Sequence, residues 1–212
     1  MLYKLFLRKQ LLYFCDKLNI TMIEVKTDTI VKHFKNRKIE MERKVLEIPK
    51  SEIFLFLNKE EFNSHCRNAC PNHNSKWTCP PNCPNFEDYS ESYSKIQLFL
   101  FVTSTKQFDF LPQEECSLEA YNFTKEELQN YLRINEPIDG KMIAANSCEV
   151  CATCSIINGK PCYFPEKMRY NLVAFGFNVE KILTELFQHE LKWSAENIIP
   201  EYVSSVGAIL KK

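Results

Sequence analysis

A chain of 212 residues fits one domain, or one domain with a subdomain. With 45% hydrophobic and 13% aromatic residues it can bury a substantial core, so metal is not needed merely to make it fold. Lys+Arg and Asp+Glu balance at 27 each, which argues against a general nucleic-acid binder.

The start, MLYKLFLRKQLLYFCDKL, carries apolar residues at Leu5, Leu7, Leu11, Leu12 and Phe14, interrupted by Lys4, Arg8 and Lys9. That pattern predicts an amphipathic first helix, with neither the apolar run of an export signal nor the length of a membrane span. A cytoplasmic location is therefore expected, where thiols stay reduced and clustered cysteines point to metal rather than disulfides. The segments ITMIEVKT (20–27) and IEMERKVLEI (39–48) alternate as half-buried strands do. Between them the basic run Lys32–Lys38 reads as a solvated turn rather than a phosphate-binding patch. Asn58 with Glu61 predicts a capped short helix that delivers Cys66, and residues 66–84, rich in Pro, Asn and Cys, an irregular loop. IQLFLFVT (96–103), nearly all apolar, predicts a central strand.

Thr124 and Glu127 form a capping-box pattern ahead of the helix KEELQNYLRI. MIAA (142–145) reads as a strand leading into a second cysteine loop. PEKMRYNLVAF follows as a helix, with Pro165 in its first turn and Gly176 as its stop. Asn178 caps NVEKILTELFQHEL, and YVSSVGAIL (202–210) closes the chain as a strand. The expected fold is α+β: a single domain over 1–212, with one mixed sheet, packed helices and two cysteine-rich metal-binding loops at the same end of the sheet.

Eight of the ten cysteines fall into two groups. The first is Cys66-x3-Cys70-x8-Cys79-x3-Cys83; the second is Cys148-x2-Cys151-x2-Cys154-x7-Cys162. Of the others, Cys15 sits in the apolar pattern of the first helix as a core thiol, and Cys116, in the polar QEECS, is expected to be exposed. Structural zinc takes its ligands as two separated pairs, whereas three cysteines in x2-x2 succession resemble a ferredoxin run that wraps a cubane. Cys162 supplies a fourth thiolate there, or serves elsewhere. The second group therefore favours iron–sulfur over zinc, and disulfides least. In the first group the paired x3 spacings suit either, since the x8 between the pairs is short and holds no ligand-like histidine. His65 and His73 read as hydrogen-bonding loop residues, Pro71, Pro80, Pro81 and Pro84 stiffen the loop, and Trp77 is expected to cover the site from water.

CRNACPNHNSKWTCPP followed by CEVCATCSIINGKPCYFPEKMRYNLVAFGFNV resembles an uncharacterised domain-of-unknown-function family of predicted metal-binding proteins, found largely in anaerobic bacteria and methanogenic archaea. Cys66, Cys70, Trp77, Cys79, Pro80 and Pro81 match the first half of its pattern. Cys148, Cys151, Cys154, Cys162, Pro165, Gly176, Asn178 and Val179 match the second. Tyr163 stands where that family has Arg, and Cys83 has no counterpart, so its ligation rests on spacing alone. The likeness spans roughly 50–210, so 51–212 is expected to be the metal-binding family region, preceded over 1–50 by the N-terminal helix and strands read from the residue pattern. It implies iron–sulfur binding in a cytoplasmic protein and supplies no reaction.

Four glycines leave no phosphate loop, and the radical C-x3-C-x2-C loop is absent, since Cys70 is followed by Cys79. His189 reads as a partly exposed surface histidine. Lys167 and Arg169 would offset cluster charge, dock an acidic partner, or form a solvated helical turn. The expectation is an iron–sulfur protein with one or two 4Fe–4S clusters, serving electron transfer or an anaerobic enzyme through a redox partner protein. The alternative is a zinc-stabilised interaction module. No nucleic-acid or membrane partner is expected. Metal-dependent catalysis would need an open coordination position, which two full cysteine quartets do not leave.

Overall fold

The computed structural model describes residues 24–194 and 198–212. The expected first helix, with Cys15, and the start of the first expected strand lie outside these residues. Strand β1 (Lys26–Phe34) and strand β2 (Arg37–Pro49) form a hairpin closed by Lys35 and Asn36. Both turn residues have positive φ, 44° and 66°, as a two-residue loop matched to strand twist requires. The basic run 32–38 is thus the hairpin turn and its flanks.

Helix α1 (Lys50–Ile53) leads to helix α2 (Lys59–Ala69), which begins at Asn58, whose side chain accepts the Glu61 N–H. Helix α3 (Phe86–Tyr89), strand β3 (Lys95–Ser104) and the long helix α4 (Gln113–Asn135) follow. Strand β4 (Lys141–Ile143), helix α5 (Leu172–Phe175), helix α6 (Val179–Phe187) and strand β5 (Tyr202–Lys211) complete the order. No helix among the described residues is long and apolar enough to cross a membrane.

The five strands form one sheet in the order β1-β2-β3-β5-β4, α+β as expected. Every strand pairing in it is antiparallel, where the sequence suggested a mixed sheet. The reason is topological. β3 and β4 run in the same direction around α4, but the last strand enters between them and runs against both. The crossover is split, so no parallel ladder forms.

Strand β3 is apolar on both faces because both are covered. Ile96, Leu98 and Leu100 join Leu46, Ile48, Leu210, Phe86, Phe175 and Leu183 in one core. Phe99 and Phe101 join Met41, Met142, Ile209, Leu128 and Leu132 beneath α4 in the other. α4 does not start at Thr124, which is fully buried in its middle. The Thr124 hydroxyl bonds Ala120 O and Thr103 Oγ1 on β3, each at 2.7 Å, so a tertiary partner replaces the expected cap.

Two further helix expectations change. PEKMRYNLVAF is a short 3-10 turn at Pro165–Lys167, then extended chain, then α5. The extended piece is held by Ala144 N–H donating to Tyr170 O at 2.8 Å. α6 is capped by Asn178, whose side chain accepts the Lys181 N–H, and stops at Phe187, where Gln188 adopts φ 50°. Gly176 ends α5 at φ 97°; a Cβ there would lie 2.6 Å from the Lys59 Cα. Its carbonyl accepts Asn58 N–H, so the end of α5 fixes the start of α2.

Candidate metal centre

The last turn of α2 carries Cys66, and Cys70 follows as the helix ends, its N–H donating to Cys66 O at 3.2 Å. From there the chain is irregular through Cys79 and Cys83. Asn82 N–H donates to Cys79 O at 2.9 Å, closing a turn between those two thiols. The second group lies in the irregular stretch after β4, with Cys154 at the start of a 3-10 turn, Ser155–Asn158, that Gly159 ends at φ 63°.

The two loops pack against each other through three consecutive side chains of the first. Lys76 Nζ donates to Ser147 Oγ (3.0 Å) and Cys148 O (2.9 Å). Trp77 Nε1 donates to Ser155 Oγ (3.2 Å) and Lys160 O (3.3 Å). Thr78 Oγ1 accepts the Cys148 N–H at 3.2 Å. Nothing in the spacing of the cysteines signalled this clamp. It places the two cysteine loops side by side.

Cys148, Cys151, Cys154 and Cys162 all line one cavity of about 170 Å³, with Lys76, Trp77 and Thr78 in its wall. Trp77 therefore covers the second group, not the first as its sequence neighbours suggested. Cys66, Cys70 and Cys79 line a separate cleft of about 1010 Å³, together with His65 and His73. Cys83 packs against the hydrophobic core and stays near Cys79 and Cys66, whose charges add to the rise in its pKa. His65 is a residue of α2 whose ring meets Phe62 edge-on, rather than a loop hydrogen-bonder.

Burial pushes the Cys79 thiol up to about 11, a rise that its hydrogen bond to Thr78 opposes and the neighbouring Cys70 adds to. Burial also pushes Cys83 up to about 12, while nearby Lys59 works the other way. Cys66 and Cys151 are raised too, by desolvation first and then by neighbouring thiols of their own groups. These thiols favour the protonated form, and a bound cation reverses that preference by stabilising the thiolate. Tyr170 stands between the groups: burial raises its hydroxyl pKa, and Cys83 and Cys162 both add to the rise.

The expected roles of the basic residues change. Arg169 is committed to Glu136, with Nε to Oε1 at 2.6 Å and Nη2 to Oε2 at 3.0 Å, and donates to Glu166 O and Met168 O. It ties the exit of the second loop to the end of α4. Lys167 lies over the Phe164 ring. Cys116 is buried on the inner face of α4, its thiol 3.1 Å from Phe108 O, not exposed. His189 is buried as well, with Nε2 2.7 Å from Ser204 Oγ and its ring against Tyr202.

Thiols gathered in two loops are a donor set suited to soft or borderline metals. Among the described residues no three His, Cys, Asp or Glu side chains close to the spacing of a single-ion site. The chain belongs to the family of predicted metal-binding proteins DUF2284, whose model matches residues 47–210. That match takes in both cysteine loops and leaves β1 and most of β2 outside. No curated protein and no solved structure matches the chain.

Proposed function

We propose that the protein is an iron–sulfur electron carrier or redox accessory of the cytoplasm, acting with a partner protein. Cys148, Cys151, Cys154 and Cys162 would hold a 4Fe–4S cluster. The supporting observation is that these four cysteines line one cavity of about 170 Å³. The x2-x2 succession supports the same choice. Cys66, Cys70 and Cys79, with Cys83 as the fourth thiol by spacing, would hold a second metal centre, a further cluster or zinc.

One-electron exchange is the chemistry such a cluster supplies when bound. The chain's part is to hold and shield it. Trp77 and Thr78 wall the second cavity, and Lys76 brings an ammonium to it, which favours the more negative, reduced state. No phosphate-binding loop offers a nucleotide cofactor, so a partner protein would supply and remove the electron.

Anaerobic purification with analysis of iron, acid-labile sulfide and zinc tests the proposal. Iron and sulfide with a reversible low-potential couple, lost in Cys151→Ser and kept in Cys15→Ser, is the expected result. Zinc at full occupancy in both sites, without iron or sulfide, would overturn it in favour of a zinc-stabilised interaction module.

A further inference from the structure

The cleft of about 1010 Å³ extends well beyond the cysteines, along α4, α5 and α6, and much of its wall is apolar. Leu118 and Tyr121 of α4 line it, with Val173 of α5 and Trp193 beyond α6. Leu118 is 60% exposed and Trp193 73%, so large apolar side chains face water together in one place, as they do where something else packs. The charged lining is one-sided: Glu61, Glu114 and Glu180 stand against Lys192, which is committed to Glu190 at 2.6 Å. Among the described residues none of those three carboxylates is ion-paired. We infer that this cleft is the seat of the chain's own N-terminal segment Leu7–Leu18, which lies outside the described residues.

The segment's own pattern suits that seat. Leu7, Leu11, Phe14 and Leu18 recur at i, i+4, i+7 and i+11, a single apolar stripe when the segment is helical. Lys4, Arg8, Lys9 and Lys17 against Asp16 make it cationic, where the cleft is acidic. The chain also arrives on the matching side of the sheet. Val25 packs against the core that contains Leu172 and Leu183, and both of those line the cleft. Reach is sufficient. From β1 to β5 is three strand spacings, about 14 Å, and the six residues from Leu18 to Glu24 span about 20 Å when extended. Seated there, the stripe covers Leu118, Tyr121, Val173 and Trp193 and narrows the access of solvent to Cys66, Cys70 and Cys79, which line the same cleft.

Zero-length carbodiimide crosslinking of the full chain, read by peptide mass spectrometry, tests the inference. The Lys32–Glu127 pair, 2.9 Å apart, serves as the positive control. Links are expected from Lys4, Lys9 or Lys17 to Glu61, Glu114 or Glu180, formed within one chain in an equal mixture of heavy- and light-isotope protein. Links found only between unlike chains would make the occupant a second copy. Control links with none from the segment to those carboxylates would mean that the segment does not sit there. Either result overturns the inference. Leu7→Asp combined with Leu11→Asp should abolish the links while the circular dichroism of the sheet is kept. Links that survive both changes would show that charge alone draws the segment in, which also overturns the apolar seat. If that variant fails to fold, the unaltered chain still decides the matter. Vesicles of phosphatidylglycerol should leave the links in place; their loss as the chain sediments with the vesicles would assign the segment to a lipid surface instead.

Discussion

The clamp between the loops offers a sharp test through Lys76→Met. Methionine keeps much of the side-chain length and removes only the ammonium, which now donates to Ser147 Oγ at 3.0 Å and Cys148 O at 2.9 Å. Hydrogen bonds from a charged group contribute about 1.5–3 kcal/mol where solvent is largely excluded. Lys76 is only partly buried, so the pair together should contribute about 2 kcal/mol rather than twice the single-bond range. With a urea slope of about 2 kcal/mol/M, the unfolding midpoint should fall by about 1 M. Fluorescence is a suitable readout, because Trp77 sits in the same contact and loses its donor geometry when the loops part. Lys76→Arg, which keeps the charge, should recover part of the loss. If the second cavity holds the proposed cluster, Lys76→Met should also lower its reduction potential, since a cation beside it is removed. A midpoint shift below about 0.3 M, with the potential unmoved, would mean that the loops dock without this residue and that the clamp reasoning is wrong.

Three other perturbations follow from the geometry. Burial lowers the His189 pKa, Lys44 lowers it further, and Glu42 opposes them. The unfolded chain therefore takes up a proton near its ordinary value of about 6.5 while the fold still resists it, so stability should fall as pH drops below that point. His189→Gln should flatten this part of a pH–stability profile measured by urea midpoints. Gly176→Ala places a Cβ at φ 97° and 2.6 Å from the Lys59 Cα, and should cost about 2 kcal/mol or more by thermal unfolding. Thr124→Val should cost about 1–3 kcal/mol by leaving the buried Thr103 hydroxyl without its partner, and the double change with Thr103→Val should recover most of it.

What was legible in the sequence was what local chemistry decides. The apolar run of β3, the alternation of β2 and β5, and the side-chain caps at Asn58 and Asn178 all depend on near neighbours, and all stand. Thr124 was misread because its hydroxyl answers to Thr103, a residue on another element. Cys116 looked exposed among Gln and Glu, yet it shares the inner face of α4 with Ala120 and Phe123. His189 is buried through partners on β5. The sheet's antiparallel character depended on the last strand entering between β3 and β4, which no local pattern announces. For the cysteines, spacing grouped the thiols but did not show that Cys83 also packs against the hydrophobic core. That packing involves residues far along the chain.

The two cysteine loops lie outside the parts that carry the fold. Both cores are aliphatic and aromatic, centred on β3, with α4 on one face and α3, α5 and α6 on the other. Apart from Cys83, Tyr170 and Met168, which pack in or against a core, polar contacts hold the cysteine loops: the Lys76–Trp77–Thr78 clamp joins them to each other, and Arg169 with Glu136 and Lys125 with Glu149 tie them to α4 and its end. Small metal-dependent domains have no such core, so their binding free energy is their folding free energy. Here the two are separable. Metal should order the loops and hold the thiols deprotonated while the sheet stands without it, and chelation should strip the loops' resistance to proteolysis well before the sheet unfolds. Simultaneous loss of both on chelation would instead make the metal part of the core's stability.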